Sequence, residues 1–231
     1  RHSPNMSSIV VSPGESVKVQ FSWGAGHKKT DLDCAAIAFS ESKVMVDVCF
    51  YNKRSACNNV LTHSGDSQDG LAPGVDEEIT LDLRPQRLES ICGFIFVVNS
   101  CTDVKLSDIQ DGTVVFKGSA GQTLGEAPLP SFDAFGVVSA ILYRKDTTGA
   151  WQLSFTDTPT KGHNFQDSMP QVHKALTKTV GSGFQGLQGD FDLVKHDVVT
   201  ITEPPPLVPL EPEEDEPTQV LTNEGDDLFV G

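Results

Sequence analysis

Apolar residues along this chain gather in short runs rich in Val, Ile and Phe, at 9–11, 17–23, 32–39, 44–51, 79–83, 91–98, 114–116, 135–144 and 151–155. Gly, Asp, Asn or Ser punctuates the runs, a spacing that predicts strands of a sandwich or barrel. Residues 146–149, Asp-Thr-Thr-Gly, read as a hairpin turn between Tyr143 and Trp151. One helix is predicted after the strands. Ser168 would cap it, Pro170 suits its first turn, and Val172, Ala175 and Leu176 share one face. Lys174 and Lys178 fall late in it, where positive charge favours the helix dipole. The predicted fold class is all-β: a two-sheet β-sandwich with one or two short helices and an extended C-terminal tail. Its predicted divisions are an N-terminal extension (1–8), the sandwich domain (9–180), a Gly-containing linker and terminal segment (181–202) and an acidic, Pro-rich tail (203–231).

Composition sharpens that outline. At 231 residues and 38% hydrophobic content the chain can bury one sizeable core. No apolar stretch is long enough to span a bilayer as a helix, and no secretory signal is visible. The net charge of −15 opposes nonspecific nucleic-acid binding, since a polyanion repels an acidic surface, and no nucleic-acid partner is expected. Residues 203–231 hold nine of the 32 acids and no Lys or Arg, which leaves 23 acids against 17 bases in the rest. The prolines of that tail (204–206, 209, 212 and 217) favour extended polyproline II, and its acids oppose collapse, so it is predicted to be disordered in isolation. Its end, Asp226-Asp-Leu-Phe-Val230, joins acids to an apolar cluster suited to docking on a partner. Five cysteines (Cys34, Cys49, Cys57, Cys92, Cys101) form an odd set without a Cys-x-x-Cys pair. They are predicted to be free thiols, with Cys57 the most exposed, which suits the cytoplasm or another reducing compartment, an organelle interior included.

Candidate chemistry concentrates at residues 63–77, His-Ser-Gly-Asp-Ser-Gln-Asp-Gly-Leu-Ala-Pro-Gly-Val-Asp-Glu. Asp66, Asp69, Asp76 and Glu77 bring carboxylates, and the glycines permit tight turns that aim carbonyls inward, which together suit a hard divalent cation. Upstream, Asp31 and Asp33 share one face of a strand by its period of two, and Asn52 follows another apolar run. Such like charges repel unless a cation neutralises them. The alternative reading is a set of solvated turn acids. An EF-hand is excluded, because Leu71 stands where that loop needs Gly and strands flank the segment.

These residues carry a resemblance. Asp31-Leu-Asp33, the run from Asp47 to Asn52, His63-Ser-Gly65-Asp66-Ser through Gly70 and Gly74 to Asp76-Glu77-Glu-Ile79, and Leu81-Asp82-Leu83 look like the tellurite-resistance TerD family. Phe135-Gly136, Ala140-Ile-Leu-Tyr143-Arg144 and Trp151 resemble its later strands. The resemblance covers about residues 8–180. It implies a calcium-binding β-sandwich linked to stress and tellurite resistance, with Asp31, Asp33, Asn52, Asp66, Asp76 and Glu77 as ligands for one or two Ca²⁺ ions. Lys29, Thr30 and Val75 depart from the family's acidic pattern, which puts its second metal position in question.

Catalytic patterns are weak. His63-Ser64-Gly-Asp66 holds the side chains of a hydrolase triad, but sequence neighbours do not make one, and no Gly-x-Ser-x-Gly elbow is present. Residues 181–186 match Gly-x-Gly-x-x-Gly formally, yet follow a helix and open none, as a linker would. His27, His163, His173 and His196 lack ligand spacing. The expectation is therefore a nonenzymatic calcium-binding module that meets protein partners through metal-ordered loops and its tail. The alternative is an accessory structural subunit of a larger assembly, organellar or membrane-associated, anchored by the tail with the metal architectural or lost.

Overall fold

The computed structural model describes residues 9–195 except 13, 25–29, 69, 71–73, 89, 145–149 and 188. The 146–149 turn, the extension at 1–8 and the acidic tail lie outside the described residues. Among the described residues, two antiparallel sheets of six strands face each other. One has the order β1 (Ile9–Val11), β12 (Trp151–Thr160), β11 (Gly136–Tyr143), β8 (Ile91–Ser100), β3 (Leu32–Ser40), β4 (Met45–Cys49). The other has the order β10 (Thr123–Pro128), β9 (Gln110–Lys117), β2 (Ser16–Gly24), β7 (Glu77–Asp82), β6 (Leu61–His63), β5 (Ser55–Ala56). Two short helices, α1 (Pro85–Leu88) and α2 (Met169–Thr179), accompany them. The predicted two-sheet sandwich is the observed architecture.

The two sheets differ in burial, and the sequence explains why. β2 alternates buried Val17, Val19, Phe21 and Trp23 with more exposed positions, so one face meets the core and the other meets water. β3 and β8 are buried at every position because their sheet is covered on both faces. Even-numbered Cys34, Ala36 and Ala38 enter the core between the sheets. Odd-numbered Ala35, Ile37 and Phe39 enter a second core beneath α2. Val172 and Leu176 of α2 are fully buried there and each contributes about 1.5–3 kcal/mol of hydrophobic stabilisation.

The predicted helix forms, but its start differs. Ser168 makes no capping bond; its hydroxyl is fully buried, donates to the Asn164 carbonyl (3.0 Å) and lies 2.7 Å from Thr160 Oγ1. Asn99 Nδ2 also donates to it at 2.9 Å, so the residue ties β8 and β12 to the helix. Gly181 then stops α2 at φ +126°, and its N–H bonds back to the Leu176 carbonyl, a conformation that side-chain-bearing residues resist. Described residues of the segment expected as a linker make contacts with the sandwich and α2 layer. Gln185 bridges to Val44, Phe184 meets Phe39 edge-on, and Phe191 meets Phe50 and Phe165.

Candidate metal centre

β3 carries a different polar group into each of its two faces, one residue apart. On the odd face, Asp33 and the preceding Asp31 turn their carboxylates the same way, as the period of two predicts. The Asp31 carbonyl accepts the Cys101 N–H (3.2 Å), which fixes this entry to the strand beside the end of β8. Asp66 joins them from the loop after β6. Arg54 holds that loop by donating to the carbonyls of His63 and Ser64, and Ser64 Oγ accepts the Glu78 N–H at 2.9 Å. Gly65 makes the turn at φ +123°. Carboxylate oxygens of Asp31, Asp33 and Asp66 thereby lie within 4.8 Å of one another.

A cation already sits among them. Lys195 Nζ donates to Asp31 Oδ1 (2.6 Å) and Asp66 Oδ1 (2.8 Å), and lies 2.8 Å from Asp33 Oδ1. That last oxygen is buried, and the ammonium is the charged partner within reach of it. The Tyr51 ring backs the ammonium at 5.0 Å from its centroid, a cation–π distance. Burial raises the Asp33 carboxyl to about 8, against the opposing Lys195 charge. Burial lowers the Lys195 ammonium, but the carboxylates outweigh it and the net shift is upward. Desolvation is thus the leading cause at Asp33, while at Lys195 the surrounding acids together outweigh it.

The donor set suits calcium. Hard oxygens at about 2.3–2.6 Å from one ion lie at most about 4.6–5.2 Å apart across it, which spans the separation of these carboxylates. Three carboxylates supply three to six of the roughly six to eight oxygens calcium takes, with water or carbonyls completing the shell.

On the even face of β3, Cys34 meets His63 and Glu77, all buried. Glu77 Oε2 accepts the Cys34 N–H (2.8 Å) and Oε1 accepts the Ser67 N–H (3.3 Å). His63 Nε2 lies 3.3 Å from Cys34 Sγ and 3.5 Å from Glu77 Oε2. These three could be mistaken for zinc ligands. However, the Gly65 N–H points at His63 Nδ1 (3.0 Å), which leaves the proton on Nε2 and makes that atom a donor rather than a ligand. Burial and the neighbouring Glu77 also hold the Cys34 thiol far above its ordinary range, so it stays protonated.

The structure therefore brings together Asp31, Asp33 and Asp66 of the six expected ligands. Glu77 points into the sandwich. Asp76 Oδ2 accepts the Trp23 N–H (2.8 Å). Asn52 donates to the carbonyls of Asp192 (3.1 Å) and Val194 (2.6 Å). Asp69 lies outside the described residues. Gly70 is fixed by sterics, since at φ +58° an added Cβ would stand 2.3 Å from Trp23 Nε1. All five cysteines are free; Cys34, Cys49 and Cys92 are buried, while Cys57 and Cys101 are half-buried. Lys195 had no signal in the sequence, being 164 residues from Asp31 and 129 from Asp66.

The model of the TerD domain matches residues 1–154. This chain belongs to the TerD domain family. The TerD match takes in every strand but the end of β12, and all three clustered aspartates; α2 and Lys195 lie beyond it. Two solved structures share the fold. The TerD homologue SCO6318 from Streptomyces coelicolor A3(2), a homologue of telluride resistance protein, is 22% identical with a TM-score of 0.54, covering 66% of this chain and 94% of its own. The protein of unknown function SAV2460 is 18% identical with a TM-score of 0.56, covering 66% and 93%. No curated protein matches the sequence. No helix among the described residues of this TerD protein is long and apolar enough to cross a membrane.

Proposed function

We propose that this TerD protein is a noncatalytic cation-binding module in which calcium at Asp31, Asp33 and Asp66 ties the start of β3 to the loop after β6. The convergence of three carboxylates from two separate segments, around a point that attracts a positive charge, carries this reading. Calcium, when bound, would supply two positive charges and oxygen coordination there. Asp31 and Asp33 anchor the site to a strand buried on both faces, and the partly exposed 64–68 loop is the other partner in the arrangement. Ordering that loop would present a surface to a protein partner, in keeping with a role in stress or tellurite resistance. The thiol and imidazole of Cys34 and His63 are buried on the other face of β3, away from the aspartates, which favours binding over catalysis at this site.

One observation favours a second reading. The site is already neutralised in part by Lys195, as expected of an accessory subunit whose metal has become architectural or been lost and whose attachment lies in the C-terminal segment. Isothermal titration of calcium chloride into chelator-treated protein separates the two. Saturable binding that Asp66→Asn removes supports the first; absence of binding in the wild type supports the second. Loss of co-purifying partners on deletion of residues 203–231, with the body still folded, would support the attachment role of the tail.

A further inference from the structure

We propose that Lys195 is a built-in counter-cation that latches residues 191–195 onto the site and that calcium and this latch exclude each other. The inference rests on the calcium reading above for its second half only. Its first half stands on the contacts. The strap has an apolar foot and a cationic head: Phe191 packs between Phe50 (6.4 Å between ring centroids) and Phe165 (5.4 Å), and the Lys195 ammonium reaches all three aspartates. Between them the backbone is gripped. Tyr51 Oη donates to the Leu193 carbonyl at 2.6 Å, Asn52 Nδ2 holds the carbonyls of Asp192 and Val194, and the Val194 N–H returns to Asp192 Oδ1 at 3.0 Å.

The either-or relation follows from Coulomb's law. An ammonium and a divalent ion contacting the same three oxygens would be a few ångströms apart with little water between them, and their repulsion would be strong. Whichever cation enters must displace the other. Asp33 Oδ1 is buried against the ammonium at 2.8 Å, so the strap's cation occupies the place from which an entering ion would contact that oxygen. Tyr51 backs the ammonium at the acidic site and, with its neighbour Asn52, also holds the strap, so a change at the site is felt by the segment that leads into the C-terminal region. The strap lies outside the 1–154 family match, which makes the latch an addition to the sandwich rather than part of its matched core.

The test uses the full chain, treated with chelator, with Lys195→Met and Asn52→Ala beside the wild type. A latch closed about 90% of the time lowers apparent calcium affinity about tenfold, so both variants should bind calcium about tenfold more tightly than the wild type. Asn52→Ala also guards against misfolding of Lys195→Met, since it loosens the strap and leaves every charge in place. If Asn52 were a calcium ligand, its removal would weaken binding instead, which would overturn the proposal. Amide hydrogen exchange supplies the readout that needs no calcium. Residues 191–195 should be protected in the wild type and exchange at least about tenfold faster in Lys195→Met, and calcium added to the wild type should have the same effect on the strap. Unchanged strap exchange in Lys195→Met would sink the latch whatever calcium does. Faster exchange in that variant with no calcium binding in any chain would retain the counter-cation and remove the competition, and with it the calcium reading.

Discussion

The two faces of β3 hold two polar clusters one residue out of register, and they solve the problem of buried charge differently. Glu77, on the face between the sheets, is held by directed hydrogen bonds from the backbone N–H groups of Cys34 and Ser67, with the His63 ring 3.5 Å away. Asp31, Asp33 and Asp66, on the other face, are held by one shared charge on a side chain from the far end of the described chain. The first arrangement is satisfied by its own loops and leaves no role for an ion. The second is satisfied only while some cation is present, and is therefore the one able to exchange occupants. A fixed hydrogen-bond network makes structure; a shared counter-charge makes a binding site.

The largest effect is expected where the directed network is broken. Glu77→Ala strands the N–H groups of Cys34 and Ser67 and empties space between the sheets, and should destabilise the protein by about 3–5 kcal/mol in urea unfolding. Glu77→Gln, which keeps an acceptor oxygen, should lose less and should leave calcium binding intact. Calcium binding abolished by Glu77→Gln in a folded protein would show that the two clusters act as one.

Next in size is the counter-charge itself. Lys195 keeps 18% of its side chain in water, so Lys195→Met in calcium-free buffer should cost about 2–3 kcal/mol, below the cost of a fully buried pair. Asp33→Asn in the Lys195→Met background should recover part of that loss, because it removes a carboxylate left without its counter-charge. Strict additivity of the two substitutions would contradict the direct pairing read from the 2.8 Å contact. Saturating calcium should stabilise the wild type by about 2.7 kcal/mol at a hundred times its dissociation constant, a thermal shift that Asp66→Asn removes.

The outline was legible in the chain because strand runs and punctuation are local signals. Strands β5, β6 and β10 were not among the predicted runs, since Ser55–Ala56 is two residues long, Leu61–His63 is three, and Thr123–Pro128 contains Gly, Glu and Pro that read as turn. The period of two correctly paired Asp31 with Asp33. The same rule, applied to the start of β7, separates neighbouring Asp76 from Glu77, and Glu77 follows the inward face of Ile79 and Leu81. His63 could have been read in the same way from Leu61, its inward-facing neighbour on β6. Ser168 looked like a cap but satisfies a buried cluster instead, a choice made by tertiary packing. Lys195 was not legible at all, because nothing local marks a lysine that folds back across the sandwich.

The smallest expected effect is a control on the exposed face of the second sheet. Burial raises the Glu78 carboxyl, but hydrogen bonds from Lys18 and Gln20 outweigh it and the net shift is below the ordinary value. A lowered folded-state value means that the stabilisation is present above the ordinary carboxylate range and is lost as pH falls through the folded value. Lys18→Ala should cost about 0.2–1 kcal/mol at neutral pH, less in high salt, and leave both clusters untouched. A larger loss would place surface charge among the main supports of the fold.

The central claim is that the face of β3 closed by counter-charge is the cation site. Isothermal titration of calcium chloride into the chelator-treated full chain, with Asp33→Asn and Glu77→Gln alongside, tests it most directly. The account predicts saturable heat in the wild type and in Glu77→Gln, and its loss in Asp33→Asn. Undiminished binding in Asp33→Asn, or no binding in the wild type and in Lys195→Met alike, would contradict it.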